Sequence, residues 1–235
     1  IPDYAYHSYA TKIEPLTARD EEKRRTFTEV ELGFYKSLDR MISKIMAAAG
    51  QNALIVLVSD HGAKATGRRV PVDMILKEKG LLGFKDESKT KGRTIDWSRT
   101  KAFPQRSCYI YVNLKGRDPD GIVDPKDYEK VRDEVISAMY NYTEPETGKK
   151  PFSLVLRKED ARILGLYGRK VGDIVYSIGP EFGGQHGNHL PTAKFGIGSL
   201  EGLLVMAGPG IKKGFVLDRN AWLTDIVPTV CHLMG

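Results

Sequence analysis

Apolar residues return at three- and four-residue steps between Thr26 and Ala49: Phe27, Val30, Phe34, Leu38, Met41, Ile42, Ile45 and Ala49. That period predicts an amphipathic helix, and Gly50 supplies its stop. The pattern then changes. Leu54 to Val58 is an unbroken apolar run of strand length that leads into Ser59, Asp60, His61 and Gly62. A short helix is expected over Val72 to Lys79, stopping at Gly80. From Leu81 to Arg106 no period is sustained, which predicts an irregular or lid-like excursion. Cys108 to Leu114 reads as a strand, closed by the Pro/Gly turn of NLKGRDPDG. A second strong helix follows in DPKDYEKVRDEVISAMYNY. Asp124 can cap it, Pro125 suits its first position, and Tyr128, Val131, Val135 and Met139 form its inward stripe. DIVYSI and GLLVMAG are short apolar strands, and Trp222 to Leu233 predicts a closing helix that contains Pro228.

Strands that alternate with helices predict an α/β fold, a three-layer sandwich with a mostly parallel sheet flanked by helices. The chain reads as a single domain over 1–235, in which 81–160 is long enough for a small cap or insert. Ligands of such sheets gather at the carboxyl ends of strands. Asp60 and His61 stand at that kind of position.

Composition adds bounds. With 235 residues the chain can bury a real core, and 41% hydrophobic with 28% charged residues is ordinary for a globular protein. The net charge of +6 is scattered along the chain, so it reads as a solvated basic surface and no nucleic-acid binding is expected. Cys108 and Cys231 form no CxxC pair and lie in apolar stretches, where buried thiols are expected. No apolar run reaches the roughly 18 residues of a membrane span. The opening IPDYAYH reads as the interior of a longer protein, which leaves the compartment open.

The chemistry lies with the histidines. Of five, four keep suggestive company: His7 is four residues after Asp3, His61 adjoins Asp60, and His186 and His189 share the glycine-flanked GGQHGNH. Imidazole with carboxylate suits zinc, manganese or iron, and the lack of cysteine ligands favours a catalytic over a structural centre. Adjacent residues of a strand point to opposite sides. Asp60 and His61 therefore reach one ion only if the chain turns there, as Gly62 permits; otherwise they serve two ions, or one ion and its outer partners.

PDYAYH, VSDHG and GQHG, in that order, resemble the alkaline phosphatase superfamily, and most closely its type I phosphodiesterase/nucleotide pyrophosphatase family. NLKGRDPDGIV, LLVMAGPGIKKG and WLTDIVPTVCHLMG extend the resemblance over nearly the whole chain, as a C-terminal portion of an alkaline phosphatase-like fold. The resemblance implies two divalent ions, zinc foremost and manganese or iron as alternatives. It assigns Asp3, His7 and His186 to one ion, and Asp60 and His61 to the other. His189 is the rival of His186 and otherwise a pocket residue. A further Asp ligand and a Thr or Ser nucleophile precede the PD motif in the family, so both are expected upstream of residue 1. Ser8, Thr11, Ser59 and Thr66 lie near motifs without matching the nucleophile.

The implied activity is metal-dependent hydrolysis of phosphodiester or nucleotide pyrophosphate bonds in a small-molecule phosphate ester or nucleotide, with little activity expected of these residues alone. Lys115 and Arg117 are candidates for the nonbridging oxygens. Rival readings are a phosphosugar mutase-like isomerase of the same superfamily, a sulfatase-like or phosphonate hydrolase, and a non-catalytic metal-binding domain.

Overall fold

The computed structural model describes residues 9, 13, 20–62, 68–86, 92–105, 108–179, 182–183 and 202–235. The chain divides into two compact units, residues 1–65 with 191–235, and residues 66–190.

The first unit contains α1 (Glu21–Ala49), β1 (Ile55–Val58), β8 (Leu204–Ala207) and α4 (Leu223–Met234). α1 starts five residues before its apolar period does, because the Asp20 carboxylate accepts the Lys23 N–H at 3.0 Å and caps it. Its half-buried stripe is Phe27, Glu31, Phe34, Leu38 and Ile42, with Tyr9 stacked on Phe27 at 4.7 Å. Val30, Met41 and Ile45, expected on that stripe, are exposed. β1 pairs antiparallel with β8, from Ile55 opposite Ala207 to Val58 opposite Leu204. α4 carries Pro228 within it, and Ile226, Val230 and Leu233 form its less exposed side. Cys231 is exposed on this helix, which corrects the expectation of a buried thiol; Cys108 is half-buried.

The second unit contains β2 (Arg68–Arg69), α2 (Val72–Glu78), β3 (Ala102–Gln105), β4 (Tyr109–Val112), α3 (Tyr128–Asn141), β5 (Phe152–Arg157), β6 (Ile174–Ile178) and β7 (Phe182–Gly183). Four strands form an antiparallel sheet in the order β3-β4-β6-β5. β6 is buried along its length, and its residues alternate as a strand must. Ile174, Tyr176 and Ile178 enter the main core with Val131, Val135 and Met139 of α3 and Ile75 and Leu76 of α2. Val175 faces the other way, onto Ala161 and Val171. Among the described residues, every fully buried apolar side chain belongs to this unit.

The mostly parallel sandwich is not what forms. The large sheet is antiparallel, β1 and β8 pair antiparallel, and among the described residues parallel pairing is limited to the two residue pairs of β2 with β7 and the single bridge of Leu114 with Val123. The alternation of strand and helix suggested crossovers between parallel neighbours. Instead a short connection turns β3 back into β4, and β6 returns antiparallel to β5 beyond the 3-10 turn Asp160–Leu164. The described part of 81–106 is largely irregular, as expected, with regular structure in the 3-10 turn Trp97–Arg99 and in β3, yet it is packed rather than loose: Leu81, Leu82, Phe84 and Ala102 lie in the core, and Phe84 bridges to Ile95. β5, in FSLVLR, was not anticipated at all.

One buried carboxylate ties this unit together. Asp173, just before β6, accepts two bonds on each oxygen. Oδ1 takes Arg117 Nη1 and the Tyr128 hydroxyl, both at 2.7 Å, while Oδ2 takes Arg117 Nη2 and the Val112 N–H, both at 2.8 Å. That is the full accepting capacity of a carboxylate. Arg117 also bonds Asp118 and the Val112 carbonyl. The pairing with Asp173 holds the guanidinium pKa above its ordinary value. Burial, then the bond to Asp173, raises that of the Tyr128 phenol.

Replacing Asp173 with Ala leaves a guanidinium, a phenol and an amide without their acceptor. The expected cost is about 3–5 kcal/mol, read as a fall in the urea midpoint; a loss below about 1 kcal/mol would show the network to be marginal. A second expectation concerns Tyr176, whose phenol burial pushes up to about 12 from 10.0. The folded state prefers the neutral phenol. Its contribution is whole below pH 10 and is lost as pH rises toward 12. Tyrosinate absorbance of the folded chain should lag behind that of the urea-unfolded chain over this window, with stability falling across it.

Candidate functional site

β1 exists because four β-branched or aliphatic residues in succession fit a ladder, and its partner β8 is equally apolar. The ladder does not stop at Val58. The Ser59 N–H donates to the Leu203 carbonyl at 2.9 Å, and the Leu203 N–H donates to Ser59 Oγ at 2.7 Å. The hydroxyl thus replaces a backbone acceptor and ends the pairing. Residue 202 must be glycine for this closure, since a Cβ there would stand 2.5 Å from Ser59 Oγ.

Beyond this lock the chain bends at Asp60, and the two neighbouring side chains converge. His61 Nε2 lies 3.5 Å from Asp60 Oδ2. On the far edge of the ring, Nδ1 lies 2.6 Å from the Gly62 carbonyl oxygen. A carbonyl only accepts, so Nδ1 is the nitrogen that donates to it, and Nε2 is the one turned toward the carboxylate. The Asp60 side chain is 85% exposed and the His61 side chain 33%. The bend brings both side chains to one side.

The separation of the two atoms bears on chemistry. Two ligands at about 2.0–2.1 Å from a tetrahedral ion stand about 3.4 Å apart. Oδ2 and Nε2 are already at that spacing, and the bond from Nδ1–H to a carbonyl is the outer support that metal-bound histidines use. The pair fits an edge of such a centre. Among the described residues no group of three or more His, Cys, Asp or Glu gathers as a metal site. Asp3, His7, His186 and His189 lie outside the described residues.

The structure separates the two cationic candidates. Arg117 directs its donors at Asp173, Asp118 and the Val112 carbonyl. Lys115, two residues earlier, lines a groove of the second unit. Sequence reasoning missed Ser59 and Gly202 as the elements that shape the strand end. The signal was weak: a hydroxyl after an apolar run and a glycine before one are ordinary turn residues.

A family model described as type I phosphodiesterase / nucleotide pyrophosphatase matches residues 1–182. The match takes in PDYAYH and VSDHG and ends before GQHG. No curated protein and no solved structure matches the chain at a significant level. Among the described residues no helix is long and apolar enough to cross a membrane. The family supports an enzyme acting on small-molecule phosphate esters by hydrolysis. With its motifs in order and three quarters of its length matched, the chain belongs to the type I phosphodiesterase/nucleotide pyrophosphatase family of the alkaline phosphatase superfamily.

Proposed function

We propose that Asp60 and His61 are paired ligands of one divalent ion in a two-metal centre that Asp3, His7 and His186 complete, and that this centre hydrolyses phosphodiester or nucleotide pyrophosphate bonds. The observation that carries the reading is the 3.5 Å spacing of Asp60 Oδ2 and His61 Nε2, with the opposite ring nitrogen held by Gly62. Zinc suits this oxygen and nitrogen donor set, and manganese or iron are the alternatives. Bound ions would supply Lewis-acid polarisation of the phosphoryl group and a lowered pKa for the attacking hydroxyl or water.

The chain's own part is orientation. Ser59 and Gly202 anchor the strand end, so the bend at Asp60 starts from a fixed point. The Gly62 carbonyl selects the tautomer in which Nε2 can donate an electron pair. Exposure of Asp60 leaves room for a ligand beside it.

Metal uptake and turnover should fall together. With zinc or manganese added, Asp60→Asn and His61→Ala should each lose at least as much metal affinity as loss of an outer partner costs, about 10- to 100-fold. Calorimetric titration reads the uptake. Release of nitrophenol from a nitrophenyl phosphodiester, compared with the monoester, reads the reaction and its preference. EDTA should abolish whatever rate the chain shows. Variants that bind metal and turn over the diester like the parent would overturn the proposal.

A further inference from the structure

The second unit carries a groove of about 420 Å³ beside the start of α3. Its floor is apolar, from Ile122 and the buried Val123 and Val131. Its walls carry Lys101, Lys115, Lys126 and Lys130. These four come from different places: the residue before β3, the loop after β4, the 3-10 turn Pro125–Asp127, and α3 itself. No sequence spacing announces them as a group. The fold collects them.

Collecting like charges is unfavourable unless counter-charges answer them. Three carboxylates share the lining, yet among the described residues none of them stands within 4.0 Å of any of these four ammonium groups. Asp124 turns Oδ1 to the Lys126 N–H, at 3.2 Å, and so caps its own turn. With Asp127 and Glu134 it still counts against the lysines, which leaves the lining one positive charge in excess. Elsewhere in the same unit three arginines are answered: Arg117 by Asp173, Arg132 by Glu129 and Glu159, Arg157 by Asp133. What sets the groove apart is that four ammonium-bearing residues gather around one concave surface.

We infer that this groove binds a small polyphosphate anion, two or three linked phosphates, with Lys101, Lys115, Lys126 and Lys130 on its nonbridging oxygens. Lysine serves phosphate as a compact point charge with three donors. A concave surface where ammonium groups outnumber carboxylates favours such an anion. The volume sits at the lower end of the range for small-molecule sites, about 300–1,000 Å³, which favours a small ligand over an extended polymer. A single phosphate or sulfate meets only part of four spread charges, whereas a linked chain reaches more of them at once. The inference goes beyond the metal-centre reading and stands apart from it, because the groove uses none of the proposed metal ligands.

The test is calorimetric titration of the full chain with inorganic tripolyphosphate in EDTA, which removes any contribution from metal ions. Saturable one-site binding is expected. The double substitution Lys115→Gln with Lys130→Gln, both at exposed positions, should weaken it about tenfold or more. Lys36→Gln with Lys44→Gln, on exposed turns of α1, should leave it unchanged. Inorganic phosphate and sulfate should bind at least about tenfold more weakly than tripolyphosphate. Absence of saturable binding, equal weakening by both double variants, an unaffected groove variant, or sulfate binding as tight as tripolyphosphate would each overturn the inference. Circular dichroism of the groove variant verifies that it folds, and Lys101→Gln with Lys126→Gln repeats the test from the other wall.

Discussion

The second unit depends on a carboxylate that water hardly reaches. Asp173 side-chain exposure is 2%, and a charge so placed is tolerable only when fully answered. Its four bonds come from three residues, each of which fixes a different part of the unit. Arg117 fixes the loop after β4, Val112 fixes the end of β4, and Tyr128 fixes the first turn of α3. Arg132 then stacks over the Tyr128 ring at 4.7 Å and reaches Glu129 and Glu159. A helix, two strands and a 3-10 turn are thus held in one register by electrostatics, inside a core otherwise made of aliphatic contacts. The loop itself is drawn tight by Asn113, whose amide donates to three carbonyls, and by Gly121, where any Cβ would strike the Leu114 carbonyl.

That network explains why two cationic candidates so close in sequence part company. Arg117 has a planar fork that matches a carboxylate, and a buried carboxylate is available to it. Lys115, two residues earlier, lines a groove instead. The loop that looked like a phosphate-binding turn is therefore a clamp at Arg117 and part of a groove lining at Lys115.

The first unit is organised by a backbone ladder. β1 and β8 pair through four residues, and Ser59 then closes the ladder with its side chain. The bend that follows is where the chemistry-bearing residues sit. A carboxylate and an imidazole that alternate sides in an extended strand meet at 3.5 Å once the strand ends. The Asp-His pair at a strand end is thus a product of termination as much as of the strand.

Local patterns were sufficient for the elements whose cause is local. The long helix, its stop at Gly50, the β1 run, the α3 stripe of Val131, Val135 and Met139, and the cap at Asp124 all follow from side-chain period and from a residue's effect on its own backbone. The family was legible in the order of PDYAYH and VSDHG. What escaped was everything set by pairing over distance. Strand direction depends on which edges meet, so the same alternation of elements served an antiparallel sheet. Phe152 to Arg157 had a pattern too mixed to mark a strand until β6 lay beside it. Asp173 and Arg117 are 56 residues apart, and neither position alone says that one will neutralise the other. The approach of Asp60 to His61 needed the bend, and the bend needed a ladder to end against. Periodicity is a property of neighbours along the chain, whereas register, ion pairing and the sharing of a groove are properties of neighbours in space.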